Sequence, residues 1–298
     1  MKILYGAGNR PGANLQLKRF LGHCNLDIRC AAYFHGSDLL ECVDWTLDAL
    51  QSNNSYDKGK LNSLFGYEGA PHIDYNHAQI LLEEVYAWKP DLVISDAEPI
   101  TAHIAKALEL RLWYCSPLLL INGIEWERKQ HKYSFAIKKM YKTLQTLPQA
   151  ERKLVYSPFC DISMRPRLKD GFEWCKPYSE TESFGKINTM SPQRVENDCF
   201  KYIQQNLKNN QVLTTGETSF VADAIYSGYN IAVAPAISDP ESLTNASLCE
   251  YYFLGSDLGE IETSIEYAQH QFDRFLTRPF TNALSIQDWK CLHEILNM

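Results

Sequence analysis

No two of the nine cysteines stand in a C-x-x-C pair, and an odd, scattered set reads neither as a zinc site nor as a disulfide framework. Free thiols in a reducing compartment are the expectation. No stretch approaches the roughly 18 apolar residues of a membrane span. The opening MKILYGAGNRPG has an apolar run too short for the core of a secretion signal. A soluble, cytoplasmic chain without a membrane span follows. Internal repeats and low-complexity tracts are also missing. Excess positive charge is lacking overall, since the net charge is -7, which disfavours non-specific binding to polyanions. The glycine turn GAGNRPGAN has neither the G-x-G-x-x-G spacing of a dinucleotide site nor the G-K-[ST] ending of a phosphate loop.

What is present is length and alternation. A chain of 298 residues with 45% hydrophobic content can fill two ordinary cores. Strand-length apolar runs, KILYGAG, DIRCAAYF, DLVISDAEP and LWYCSPL, alternate with helical patterns such as HAQILLEEVYAWKP and ITAHIAKALEL. The same grammar resumes in KLVYSPF, FEWCKPYS, QVLTTG and NIAVAPA. Alternating β and α predicts parallel sheets covered on both faces, here in two α/β domains over residues 1–150 and 151–275. The amphipathic SIQDWKCLHEILNM, within 276–298, is expected to pack back on the first domain.

In open parallel sheets ligands bind beyond the carboxyl ends of the strands, where helix N-termini present N–H groups. Four loops fall at such ends: 6–14, 95–101, 214–219 and 238–242. In the first, Pro11 and Gly12 predict a turn, with Gly8 beside it and Arg10 as the nearby cation. In TTGETS, Thr214, Thr215 and Ser219 offer hydroxyls, Gly216 lets the backbone come close, and the next helix offers N–H groups to a diphosphate. Asp223 lies four residues after Ser219, on the same helix face one turn deeper, where a carboxylate can accept both hydroxyls of a ribose. Glu241 follows in DPES, a helix start capped by Ser238 or Asp239. Singly these are ordinary caps and solvent-facing acids; at successive β-α junctions they read as a nucleotide-sugar site.

Residues 212–259 resemble the C-terminal half of the GT-B glycosyltransferases, in particular the branch related to the peptidoglycan N-acetylglucosaminyltransferase. Thr214-Thr215-Gly216, Ser219, Asp223-Ala224-Ile225, Gly228, Pro235, Glu241-Ser242 and Asn245-Ala246 follow that pattern without a gap. KPDLVISDAEPITAHIAKALEL and LVYSPFCDISMRPRL are similar to its N-terminal element and its interdomain join. Departures are as specific. The family's G-x-G-H is replaced by Gly8-Asn9-Arg10-Pro11-Gly12, its second turn glycine by Glu217, a proline by Asn230 and a glutamine by Ser242. The short segment between Tyr178 and Gln211 implies a trimmed second domain.

The resemblance implies a GT-B-like fold, two Rossmann-type domains facing a cleft, and a nucleoside diphosphate sugar, a UDP-sugar first of all, as donor. Donor contacts would come from Thr215, Gly216, Ser219, Asp223, Glu241 and Asn245, with Gly8 and Gly12 at the first turn. The diphosphate charge would be met by the Gly216 helix end and by Arg10 or Arg165, with no metal required. An acceptor hydroxyl must lose a proton, and Asp96 or Glu98, at the end of the third strand beside the cleft, is the candidate base, with His35 as alternative. Asp96 can equally be a plain cap of the helix near Pro99.

Charge distribution bears on the acceptor. Residues 128–169 hold eleven Lys and Arg against two acids, a net +9, which leaves -16 for the rest of the chain. Tyr133, Ile137, Met140, Tyr141 and Leu144 fall at helical spacing among these lysines, so a solvated helix face explains the run. A duplex partner explains it too, with Trp126, Tyr133, Tyr141 and Trp174 available to support an extruded base. In size and character the chain resembles phage transferases that decorate hydroxymethylcytosine in DNA, which would act in the host cytoplasm. Transfer to a small molecule or glycan, a nucleotide-sugar epimerase and a non-catalytic binder are the alternatives.

Overall fold

The computed structural model describes residues 1–8, 11–32, 43–47, 75–126, 135–179, 187–188, 196–236, 238–281, 284 and 289–297. Among the residues named above, Asn9, Arg10, His35 and Tyr133 lie outside them, as do Arg128, Lys129 and Lys132 of the basic run. Two units emerge, one of residues 1–122, 141–155 and 170–173, the other of 123–140, 156–169 and 174–298.

In the first unit the apolar runs become β1 (Lys2–Gly6), β2 (Asp27–Ala32), β3 (Trp45–Thr46), β4 (Leu92–Ser95), β5 (Leu112–Ser116) and β6 (Arg152–Tyr156). The sheet order is β3-β2-β1-β4-β5-β6, with β7 (Glu173–Cys175) at its edge, and β1 to β6 pair in parallel. Every residue of β4 and β5 is buried, which is why these strands read as unbroken apolar runs and not as alternating ones. Parallel neighbours need helical crossovers. These include α1 (Pro11–Gly22), α2 (Tyr75–Trp88) and α3 (Pro99–Ala107), while α4 (Phe135–Thr146) precedes β6. Helix α2 ends where the sequence places its stop: Lys89 turns left-handed at φ 53°, and Pro90 has no N–H to continue the ladder. The expected turn at Pro11 and Gly12 is corrected. Pro11 opens α1, where its fixed φ suits the first helical position and its missing N–H costs nothing, and Gly12 lies inside that first turn.

The second unit has a smaller parallel sheet, β11-β10-β9-β8, from β8 (Ile187–Asn188), β9 (Gln211–Thr214), β10 (Asn230–Val233) and β11 (Gly255–Asp257). Its helices are α5 (Asp198–Asn206), α6 (Thr218–Tyr226), α7 (Pro240–Tyr251), α8 (Ile265–Thr277) and α9 (Leu292–Leu296). Phe200 and Ile203 of α5 and Phe272 and Phe275 of α8 pack on Leu213 and Ala232 of the sheet. Burying each such side chain contributes about 1.5–3 kcal/mol. The far end of α6 is tied down separately: the Tyr226 hydroxyl donates to Asp161 Oδ2 at 2.8 Å, and Lys176 Nζ lies 3.3 Å from the same oxygen. In α9 the His293 N–H donates to the Tyr178 hydroxyl at 3.1 Å, inside this second unit. Both units are thus Rossmann-type, the second one trimmed. Among the described residues no helix is long and apolar enough to cross a membrane.

Candidate active site

The strand order of the first unit reverses between β1 and β4, and the loops leaving two such strands form a ligand crevice in open α/β sheets. Gly6 permits the close approach there: a Cβ on it would collide with the Thr101 side chain of α3. The Asp96 N–H donates to Gly6 O at 2.8 Å, and the Gly8 N–H donates to Asp96 Oδ2 at 3.4 Å. Asp96 is fully buried.

Glu98, two residues on, has a different role. It is the N-cap of α3, its Oε1 accepting the Ile100 N–H and its Oε2 the Thr101 N–H and Thr101 hydroxyl, each at 2.7 Å. Ser95 Oγ braces the loop by accepting the Glu98 N–H at 2.9 Å and donating to Glu98 O at 2.8 Å. The cap weighed for Asp96 therefore belongs to Glu98, whose longer side chain reaches back over Pro99 to the first-turn donors. Of the two carboxylates, Asp96 is the one held at the switch point by Gly8.

In the second unit the turn after β9 is built on Gly216, whose φ of 97° excludes a side chain, as does the Ser242 O that a Cβ would meet at 3.0 Å. Its N–H donates to Thr214 Oγ1 at 3.2 Å. Asn245, wholly buried on α7, spans the turn: its Nδ2 donates to Gly216 O at 2.8 Å and to Thr218 Oγ1 at 2.9 Å. Glu241 Oε1 accepts the Thr218 N–H, the first of α6, at 2.7 Å. Asp239, one of the two expected caps, holds α7, taking the Glu241 N–H at 3.0 Å and the Ser242 hydroxyl. Gly216, Glu241 and Asn245 are thus brought into one network across the α6 and α7 N-termini. Thr215, Ser219 and Asp223 are buried on the same turn and helix. The Arg165 guanidinium lies 5.2 Å over the Trp289 ring.

Sequence reasoning noted Glu217 as a departure and gave it no role. Its carboxylate is buried, 6% exposed, at the N-cap position of α6, and it accepts the Thr215 hydroxyl without capping the helix. Burial pushes this carboxyl up to about 7; the Thr215 bond opposes the rise, and the charges of Asp239 and Glu241 add to it. The available signal was an acid placed beside the glycine of a turn that opens a helix.

No protein-family model matches the chain, and no curated protein matches it by sequence. Solved structures do. SsfS6, a glycosyltransferase of Streptomyces sp. SF2575, is similar at a TM-score of 0.53 and 11% identity over 100% of both chains. The calicheamicin glycosyltransferase CalG4 reaches 0.55 at 13% identity, over 93% of this chain and 89% of that one. Spinosyn rhamnosyltransferase SpnG, in complex with thymidine diphosphate, reaches 0.55 at 12% identity, over 95% and 98%. At such identities the likeness is one of fold, and the fold is that of the GT-B glycosyltransferases.

Proposed function

We propose that the protein is a glycosyltransferase that moves a sugar from a nucleoside diphosphate donor to a hydroxyl acceptor. The observation that carries this is the Gly216 turn, fastened by Asn245 and Glu241 at the mouth of α6 on a GT-B fold. The positive dipole end of α6, with Ser219 beside it, is where the leaving diphosphate is received. Asp223 holds the ribose hydroxyls, and Asp96 takes the acceptor's proton as the bond to the sugar forms. Kinship to the peptidoglycan-related branch rests on the motif in 212–259.

The motif favours a UDP-sugar, whereas SsfS6 and SpnG have been solved with thymidine diphosphate, so both nucleotides belong in the test. The direct experiment incubates the protein with labelled UDP- and dTDP-hexoses and a panel of hydroxylated small molecules. Label on an acceptor supports the reading. Interconversion of donors without transfer means an epimerase, and tight binding without chemistry a non-catalytic binder. Asp223→Ala is expected to weaken nucleoside diphosphate binding roughly tenfold, the loss of a charged acceptor worth about 1.5 kcal/mol. Unchanged affinity by calorimetry removes Asp223 from the ribose.

Small hydroxylated molecules are the preferred acceptors, since the neighbouring enzymes include spinosyn and calicheamicin transferases. Hydroxymethylcytosine in duplex DNA is the second reading, favoured by one observation: Lys138, Lys139 and Lys142 of α4 are all exposed. If duplex binds there, replacing the three with glutamine flattens the salt dependence of binding, by a slope of about 0.9 for each phosphate no longer neutralised. A wild-type protein that ignores hydroxymethylcytosine duplex even at low salt leaves these lysines as a solvated helix face.

A further inference from the structure

A buried acid at the positive end of a helix that is to receive a dianion calls for an explanation. Glu217 occupies the N-cap position of α6 yet makes no cap bond; its carboxyl turns to the Thr215 hydroxyl. The nearby N–H of Thr218 is already spent on a second acid, Glu241. The charges acting on Glu217 come from α7, from its cap Asp239 and its first-turn Glu241, and both are negative. The turn itself contributes only the neutral Thr215 and Gly216, and Asn245 reaches in from α7 with a neutral amide. That amide's Oδ1 is buried and accepts no hydrogen bond among the described residues, an acceptor left for a donor group to meet. A diphosphate brought to this end of α6 would face the buried Glu217 carboxyl directly.

Resting on the glycosyltransferase reading, we propose that Glu217 is the specificity residue that couples donor binding to proton uptake: the nucleotide sugar binds with Glu217 in its neutral, protonated form. The atoms balance simply. One proton from solvent goes to a Glu217 carboxylate oxygen, the charge facing the diphosphate falls by one, and the new O–H becomes a hydrogen-bond donor at the helix mouth, either to Thr215 Oγ1 or to a diphosphate oxygen. A glycine here, as in the family pattern, would bind the same donor without regard to pH. Glu217 makes the donor site close as the medium turns alkaline. The elevated proton affinity of this carboxyl in the free protein, at about 7, puts the transition in the range where it operates.

Linkage fixes the sign. Below the free-protein value the acid is already neutral and binding takes up no proton. Above it, each donor bound must bring one, so affinity falls up to tenfold per pH unit until the value in the complex is passed. The test uses UDP-glucose and dTDP-glucose, not the free diphosphates, because a terminal phosphate itself titrates near 6, whereas a diphosphate esterified at both ends does not. Calorimetric titrations in two buffers of different ionisation enthalpy, at pH 6 and pH 8, count the protons. Uptake near zero at pH 6 and approaching one at pH 8 is the expected result. In Glu217→Gln, whose amide keeps the shape and a donor, uptake should vanish and affinity at pH 8 should exceed wild type by about tenfold. Donor binding with no proton uptake at pH 8, or the same uptake in Glu217→Gln, overturns the coupling and leaves the glycosyltransferase reading standing. Neither sugar nucleotide binding at either pH overturns that reading and the coupling with it.

Discussion

Asp96→Asn is expected to lower turnover by about two to four orders of magnitude while donor affinity stays within about twofold, the signature of a lost general base. The substitution keeps the size of the side chain and an oxygen to accept the Gly8 N–H, so the loop between β4 and α3 retains its shape. What disappears is the carboxylate proposed to take the acceptor's proton. Glu98→Gln supplies the contrast. Its carboxylate accepts three hydrogen bonds from the first turn of α3, so its loss is expected to be one of stability, about 1–2 kcal/mol for a weakened charged cap, with turnover of the folded fraction little changed. Single-turnover rates of both variants, beside their urea midpoints, separate the two roles. A normal rate in Asp96→Asn passes the base to another side chain.

Glu217→Gln is expected to stabilise the protein at pH 8 by on the order of 3 kcal/mol and to change nothing at pH 4. The carboxyl is held near 7 in the fold against an ordinary value of 4.5, so the unfolded chain ionises first as pH rises. Between those values the unfolded state sheds its proton and the folded state keeps it, and the penalty is complete above about 7. Every tenfold gain in proton affinity on folding corresponds to about 1.36 kcal/mol. Urea unfolding of wild type and variant at pH 5, 6, 7 and 8 should show a gap that widens with pH. A constant gap would mean that Glu217 is ionised throughout and that the stability difference comes from packing.

The two-sheet architecture was readable because its cause is local. Strands buried on both faces must be apolar along their whole length, and LVIS and LWYCS are; crossover helices must be amphipathic and must stop, and YNHAQILLEEVYAW stops at a proline. Hydrogen-bond partners were harder to read, since they depend on side-chain reach across elements. Asp96 and Glu98 look interchangeable in DAEP, yet only the longer one reaches the α3 donors. Gly216 and Asn245 stood in the motif as separate letters, and the bond joining them over 29 positions exists only in the fold. The turn at Pro11 was misread because Pro-Gly is a turn signal in isolation and a helix start when an apolar helix follows it.

The Asn245 amide that clasps the Gly216 carbonyl and the Thr218 hydroxyl makes the stretches 214–219 and 238–246 one mechanical part. Re-aiming the proposed donor site would mean exchanging them as a single cassette. Grafting the first alone would leave a buried amide without its acceptors, and grafting the second alone would release the glycine carbonyl that it grips.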